Sequence, residues 1–131
     1  MAEHPHIEVL RRVMQALSQG DMDALQQLWT RDFVLHVPGD NPLAGEHKGP
    51  EAAVDLNRRM RQETNGTLRW EPQQMFVDGR GHVIGTRRLT AERRGRRFDA
   101  VGAVICTFVG DRMASAEVFE QDLDAADQFW S

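Results

Sequence analysis

Apolar residues at Ile7, Leu10, Val13, Met14 and Leu17 recur every three or four positions, the spacing of one helical face. This predicts an amphipathic first helix with Gly20 as its C-cap. Asp21 can cap a shorter second helix carrying Leu25, Leu28 and Trp29 on one side. From Asp32 to Val37 the pattern turns extended and predicts a strand, whereas Pro38 to Gly49 is broken by Pro and Gly and predicts an irregular loop. Pro50 fits the first position of a third helix with Ala53, Val54, Leu56 and Met60, ended by Asn65-Gly66. Four long extended runs follow, over 67–78, 82–94, 97–109 and 112–121, each parted from the next by a hairpin-type turn signal. Asp122 or Asp124 can cap a last short helix ending at Phe129 and Trp130. Helices and strands are segregated, which predicts an α+β fold, a largely antiparallel sheet and one domain over 1–131. A long, twisted meander with three helices across one face curls towards a cone, and a ligand would enter its open end.

Composition narrows the chemistry. A chain of 131 residues that is 40% hydrophobic and 27% charged can build one ordinary globular core. The net charge of −4 argues against a nucleic-acid partner, because such binding rests on neutralising phosphates. The single cysteine excludes an internal disulfide framework and any multi-cysteine metal or cluster site. His4, His6, His36, His47 and His82 show no metal-ligand spacing, so no metal and no cofactor is expected. His4-Pro5-His6 reads as a loose terminus, and Cys106, inside an apolar strand, as an inert buried thiol. No stretch approaches the ~20 apolar residues of a membrane span, and the first residues do not resemble a signal peptide. A cytoplasmic location is the expectation. There is no tyrosine, which removes every mechanism that needs a phenol as acid, base or oxyanion donor.

The two-helix start around Gly20-Asp21, the strand Phe33-Val34-Leu35-His36-Val37-Pro38-Gly39, the segment Pro42-Leu43-Ala44-Gly45 and the ending Asp122 to Trp130 carry a resemblance. Together they resemble the nuclear transport factor 2-like superfamily, whose fold is also called cystatin-like. More narrowly, they resemble its SnoaL-like branch, which includes polyketide cyclases and relatives of ketosteroid isomerase. The resemblance covers nearly the whole chain. It implies a cone-shaped, strongly curved, mostly antiparallel sheet covered by three helices, with a short C-terminal helix. It also implies a small apolar ligand in the cone and a homodimer through the outer sheet face. It does not choose a reaction, since the fold hosts isomerases, cyclases, hydrolases, dehydratases and non-catalytic binding or scaffold proteins.

His36 lies roughly where the resembling isomerases place a general-base aspartate, and an imidazole there could shuttle a proton near neutral pH. Glu120 and Asp122 lie in the region where SnoaL-type cyclases are implied to use an aspartate. Ala114, Ala116 and Val118 share one face of that strand with Glu120, and a carboxyl pointing into an apolar cone would be raised in pKa. Asp122 has the plainer role of a helix cap open to it. Trp29, Leu56, Met60, Trp70, Phe76 and Phe119 are candidates to line a pocket for an apolar ligand, with core packing the simpler explanation of any one of them. Arg87 to Arg97 forms a hairpin with six arginines, which reads as a solvated tip. Arg88, further from the tip, could reach the cavity and hold an anionic group.

Two departures count against an isomerase of the usual pattern. The position implied for the oxyanion-donating tyrosine falls near Val13, and that of the protonated acid falls among Ala103, Val104 and Ile105. The favoured reading is a small-molecule pocket that supports cofactor-independent proton transfer (isomerase, cyclase or hydratase) on an apolar or polyketide-like ligand, with His36 and Glu120 as base and acid. The alternative is a non-catalytic ligand-binding or scaffold domain. A nucleic-acid or protein binder acting through the 87–97 hairpin ranks below both.

Overall fold

The computed structural model describes residues 3–131. Pro5 opens helix α1 (Pro5–Gln19), and His4 caps it by accepting a hydrogen bond at Nδ1 from the His6 N–H. The His4-Pro5-His6 segment is therefore a helix start and not a loose end. The His6 ring also stacks on Phe108 with centroids 4.2 Å apart. Asp21 caps α2 (Met22–Leu28) through the Ala24 N–H, as the sequence predicts.

Strand β1 (Trp29–Val37) begins three residues earlier than its pattern suggests, so Trp29 is a strand residue. The segment expected to be an irregular loop contains a short strand, β2 (Gly45–Lys48), paired antiparallel to β1. Four residues with little apolar patterning leave almost no signature. Helix α3 (Pro50–Glu63) starts at the expected proline. The meander is β3 (Arg69–Val77), β4 (His82–Arg93), β5 (Arg96–Val109) and β6 (Arg112–Glu120), followed by α4 (Leu123–Trp130).

The six strands lie in the order β2-β1-β6-β5-β4-β3. Every pairing is antiparallel except β1 with β6, where the chain's first strand meets the last. The sheet is open, and the fold is the expected α+β type. Helix α1 lies close against β4 at Gly85, where a Cβ would stand 2.8 Å from Leu10 Cδ2.

Two apolar clusters fill the concave side. One joins Leu10, Val13 and Met14 of α1 and Leu25 of α2 to Phe33, Val83 and Cys106 of the sheet. The other joins Leu56 and Met60 of α3 to Leu89, Phe98, Phe129 and Trp130. Each such side chain contributes about 1.5–3 kcal/mol on burial. The candidate site lies between the clusters and borrows walls from both. No described helix is long and apolar enough to cross a membrane.

Candidate functional site

Alternation along each strand decides what reaches the concave side. On β1, Phe33, Leu35 and Val37 line a cavity of about 100 Å³, and on β6, Ala116, Val118 and Glu120 do so. Leu10 and Met14 of α1 and Leu56, Asn57 and Met60 of α3 form the helical wall. Trp29, Trp70 and Trp130, all the tryptophans of the chain, line the same space. The volume is below the roughly 150 Å³ apolar cavity that takes up a benzene ring in an engineered protein. At that volume a single ring is the upper scale of what the space could hold.

The polar feature of the sheet wall is an ion pair. Arg87 on β4 donates from Nη2 to both carboxylate oxygens of Glu120, at 3.0 and 2.9 Å. The Arg87 side chain is 1% exposed and that of Glu120 is 9% exposed. Arg87 and Glu120 are not on adjacent strands. β5 lies between them, and Gly102 is the cross-strand partner of both. A Cβ at 102 would overlap the Arg87 guanidinium, so glycine is what lets the side chain cross β5 to its carboxylate. The guanidinium also sits 5.3 Å from the centre of the Trp70 ring.

Several buried polar atoms of this cavity have no protein partner among the described residues. They are Nη1 of Arg87, Nε1 of Trp29, Nε1 of Trp70, and both Nδ2 and Oδ1 of Asn57. Buried polar groups are normally satisfied, and these exceptions are gathered at one cavity.

The structure brings Glu120, Trp29, Trp70, Leu56 and Met60 together in the cavity. It does not bring the other candidates there. His36 alternates with Leu35 and Val37, is exposed and faces the opposite side of the sheet, across from Glu117 and Glu46. The pairing of His36 with Glu120 in one site is thus corrected, since the two side chains lie on opposite faces. Phe76 and Phe119 are likewise on the outer face, 57% and 47% exposed. Arg88 also faces outward and is held by Asp99, Nε to Oδ1 at 2.7 Å. That hydrogen bond from Arg88 holds the Asp99 carboxyl below its ordinary value. The residue that reaches the cavity is its neighbour, Arg87. Asp122 accepts the Ala125 N–H at 3.0 Å and is the N-cap of α4, outside the cavity lining.

The arginine-rich hairpin is not uniformly solvated either. Arg87 and Arg93 point inward, and Arg93 donates to Glu63 of α3 at 2.7 Å and to the Phe129 carbonyl of α4 at 2.8 Å. Burial raises the Glu63 carboxyl pKa, but hydrogen bonds from Arg93 and then Arg59 outweigh it and hold the group below 4.5. Burial pushes the Cys106 thiol up to about 12, which removes it as a nucleophile at neutral pH. No group of three or more His, Cys, Asp or Glu is gathered to hold a metal ion among the described residues.

Arg87 and Asn57 escaped the sequence reading, yet both left a signal. Arg87 keeps step with Val83, Gly85, Leu89 and Ala91, the inward positions of β4. Asn57 falls three or four residues from Ala53, Val54 and Met60, the buried stripe of α3. A polar residue in phase with an apolar stripe is the trace of a built polar site.

Comparison with known proteins bears on this geometry. A family model described as a SnoaL-like domain matches residues 10–116. The solved structure of Bal32a, from a soil-derived mobile gene cassette, is 35% identical, with a TM-score of 0.94 over 97% of each chain. The uncharacterized protein Rv0034 of Mycobacterium tuberculosis is 28% identical over 131 residues, the full length of both chains. A proposed SnoaL-like polyketide cyclase from Jannaschia sp. CCS1 shares the fold at 17% identity, with a TM-score of 0.77 over 100% of this chain and 97% of that one.

Proposed function

The chain belongs to the SnoaL-like family, and from that premise we propose that its cavity binds a small apolar molecule bearing a carbonyl and moves a proton on it without a cofactor. The observation that carries this reading is the Glu120 carboxylate, set by Arg87 against the inner wall of a largely apolar cavity. A carboxylate paired with a guanidinium is an acceptor, so Glu120 acts first as a general base. It takes a proton from the carbon beside the carbonyl, the electron pair moves onto oxygen to give the enolate, and the proton returns to the same or a conjugated carbon. That cycle serves isomerisation or, where the enolate attacks a second carbonyl, ring closure. Fold neighbours described as proposed polyketide cyclases fit the second outcome.

The test is exchange of solvent deuterium into cyclohexenones, followed by NMR. Glu120→Gln keeps an acceptor oxygen for Arg87 but is a far weaker base. It should lower catalysed exchange by about 10²–10⁴-fold, the usual contribution of a positioned acid or base. Exchange by the wild-type protein that is unchanged in a folded Glu120→Gln variant overturns the catalytic assignment.

A second reading has its own support. Both oxygens of Glu120 are engaged by the same arginine, and no second carboxyl or imidazole lines the cavity among the described residues. That favours a binding domain in which the ion pair only orients the guest. Binding of the cyclohexenones with no exchange by the wild type selects it.

A further inference from the structure

Asn57 is 2% exposed on the inner face of α3, and neither of its amide atoms meets a protein partner among the described residues. An amide buried in this way costs stability, which a leucine of similar shape would not. The helical wall therefore carries a polar group that packing does not require.

The chemistry of that group restricts what it can receive. Asn57 offers a donor and an acceptor together, and a hydroxyl is the smallest group that answers both. The indole N–H groups of Trp29 and Trp70 and the free Nη1 of Arg87 are all donors, so the rest of the wall suits an oxygen acceptor. Charge restricts it further. The single buried cation of the cavity, Arg87, is already matched by Glu120, so an anionic guest would arrive without an unmatched counter-charge.

We propose that Asn57 is the specificity-determining residue of the cavity, selecting an uncharged, single-ring apolar ligand that carries a hydroxyl over its hydrocarbon counterpart, while the matched Arg87–Glu120 pair disfavours the carboxylate counterpart. This rests on the cavity being a ligand site, as proposed above, but not on Glu120 being a catalyst.

Three probes of one ring size separate the possibilities: cyclohexanol, cyclohexane and cyclohexanecarboxylate. Binding is read at neutral pH from the three indole N–H signals in two-dimensional NMR, since all three tryptophans line the cavity. The wild type should bind cyclohexanol at least about tenfold more tightly than the carboxylate, the scale of one buried hydrogen-bonding mismatch. In Asn57→Leu the affinity for cyclohexanol relative to cyclohexane should fall about tenfold, while cyclohexane binding holds or tightens. Asn57→Ala serves as a second variant with the same expected direction, and the wild-type comparison of neutral and charged probes needs no variant. Cyclohexanecarboxylate binding as tightly as cyclohexanol, or an alcohol-to-hydrocarbon ratio that neither variant moves, overturns the proposal and leaves the ligand cavity standing. Failure of all three probes to shift any indole signal overturns the cavity reading and this proposal with it.

Discussion

A single position in a strand decides whether a side chain serves the site or the solvent. Arg88, further from the hairpin tip, is the arginine the sequence points to for the cavity, but tip distance does not fix the face. Phase does, and Arg87 has the phase of Val83 and Leu89. His36 misses the cavity for the same reason, one residue from Leu35 and Val37. The phase of β4 is legible in the sequence. The arrival of Arg87 at Glu120 is not, because it depends on which strand lies between them and on the glycine at 102. The buried pair yields a prediction about stability. Removing one partner leaves an uncompensated buried charge, so Glu120→Leu should cost about 3–5 kcal/mol. The double variant Arg87→Met/Glu120→Leu removes both charges and should recover most of that loss, since apolar replacement of a buried pair is often neutral or favourable. Denaturant unfolding of the single and double variants checks it. A double variant no more stable than the single one would show that Arg87 is not held in place chiefly by Glu120.

At the scale of elements, the periodicities of α1 to α4 and the caps of α2 and α4 are legible because each depends on neighbours in sequence, whereas the His4 cap of α1 is not. The Asp21 and Asp122 caps and the Pro50 helix start all stand where the sequence puts them. Long-range ties were not readable. Glu63 near the end of α3 and Arg93 at the end of β4 are thirty residues apart, yet their contact also reaches the Phe129 carbonyl and joins three elements beside the cavity. This tie makes stability depend on pH in a stated direction. The folded Glu63 carboxyl is held below 4.5, so its contribution is present above that value and is lost as pH falls through the folded value. With Glu63 side chain 23% exposed, solvent discounts the tie to on the order of 1–2 kcal/mol. Glu63→Gln should therefore be less stable than the wild type at pH 7, with the gap narrowing on acidification. Thermal unfolding across that range tests it, and a gap that stays constant with pH would assign the loss to packing instead.

For the whole molecule, the asymmetry of the sheet raises the question of what covers its other face. Both apolar clusters lie on the concave side, so the outer face is left to solvent with Phe76, Ile84, Val101 and Phe119 exposed on it. Antiparallel sheets tolerate one wet face, but that face is then normally polar. Five of the six strands have nine residues or more. At about 4.8 Å between strands and 3.3 Å per residue, they present roughly 840 Å². A stable interface buries about 800 Å² on each partner, so one sheet face is close to the required area. Pairing of two copies through this face would cover these residues, and the apolar residues on both phases of the late strands are legible in the sequence. Wild-type protein should sediment as a dimer, and Phe119→Glu, which places a charge at an exposed position of the patch, should shift it to a monomer without lowering the unfolding temperature by more than a few degrees. Sedimentation velocity over a concentration series separates the outcomes. A wild-type protein that stays monomeric up to its solubility limit would remove the dimer and leave the exposed apolar residues of the outer face to a different partner.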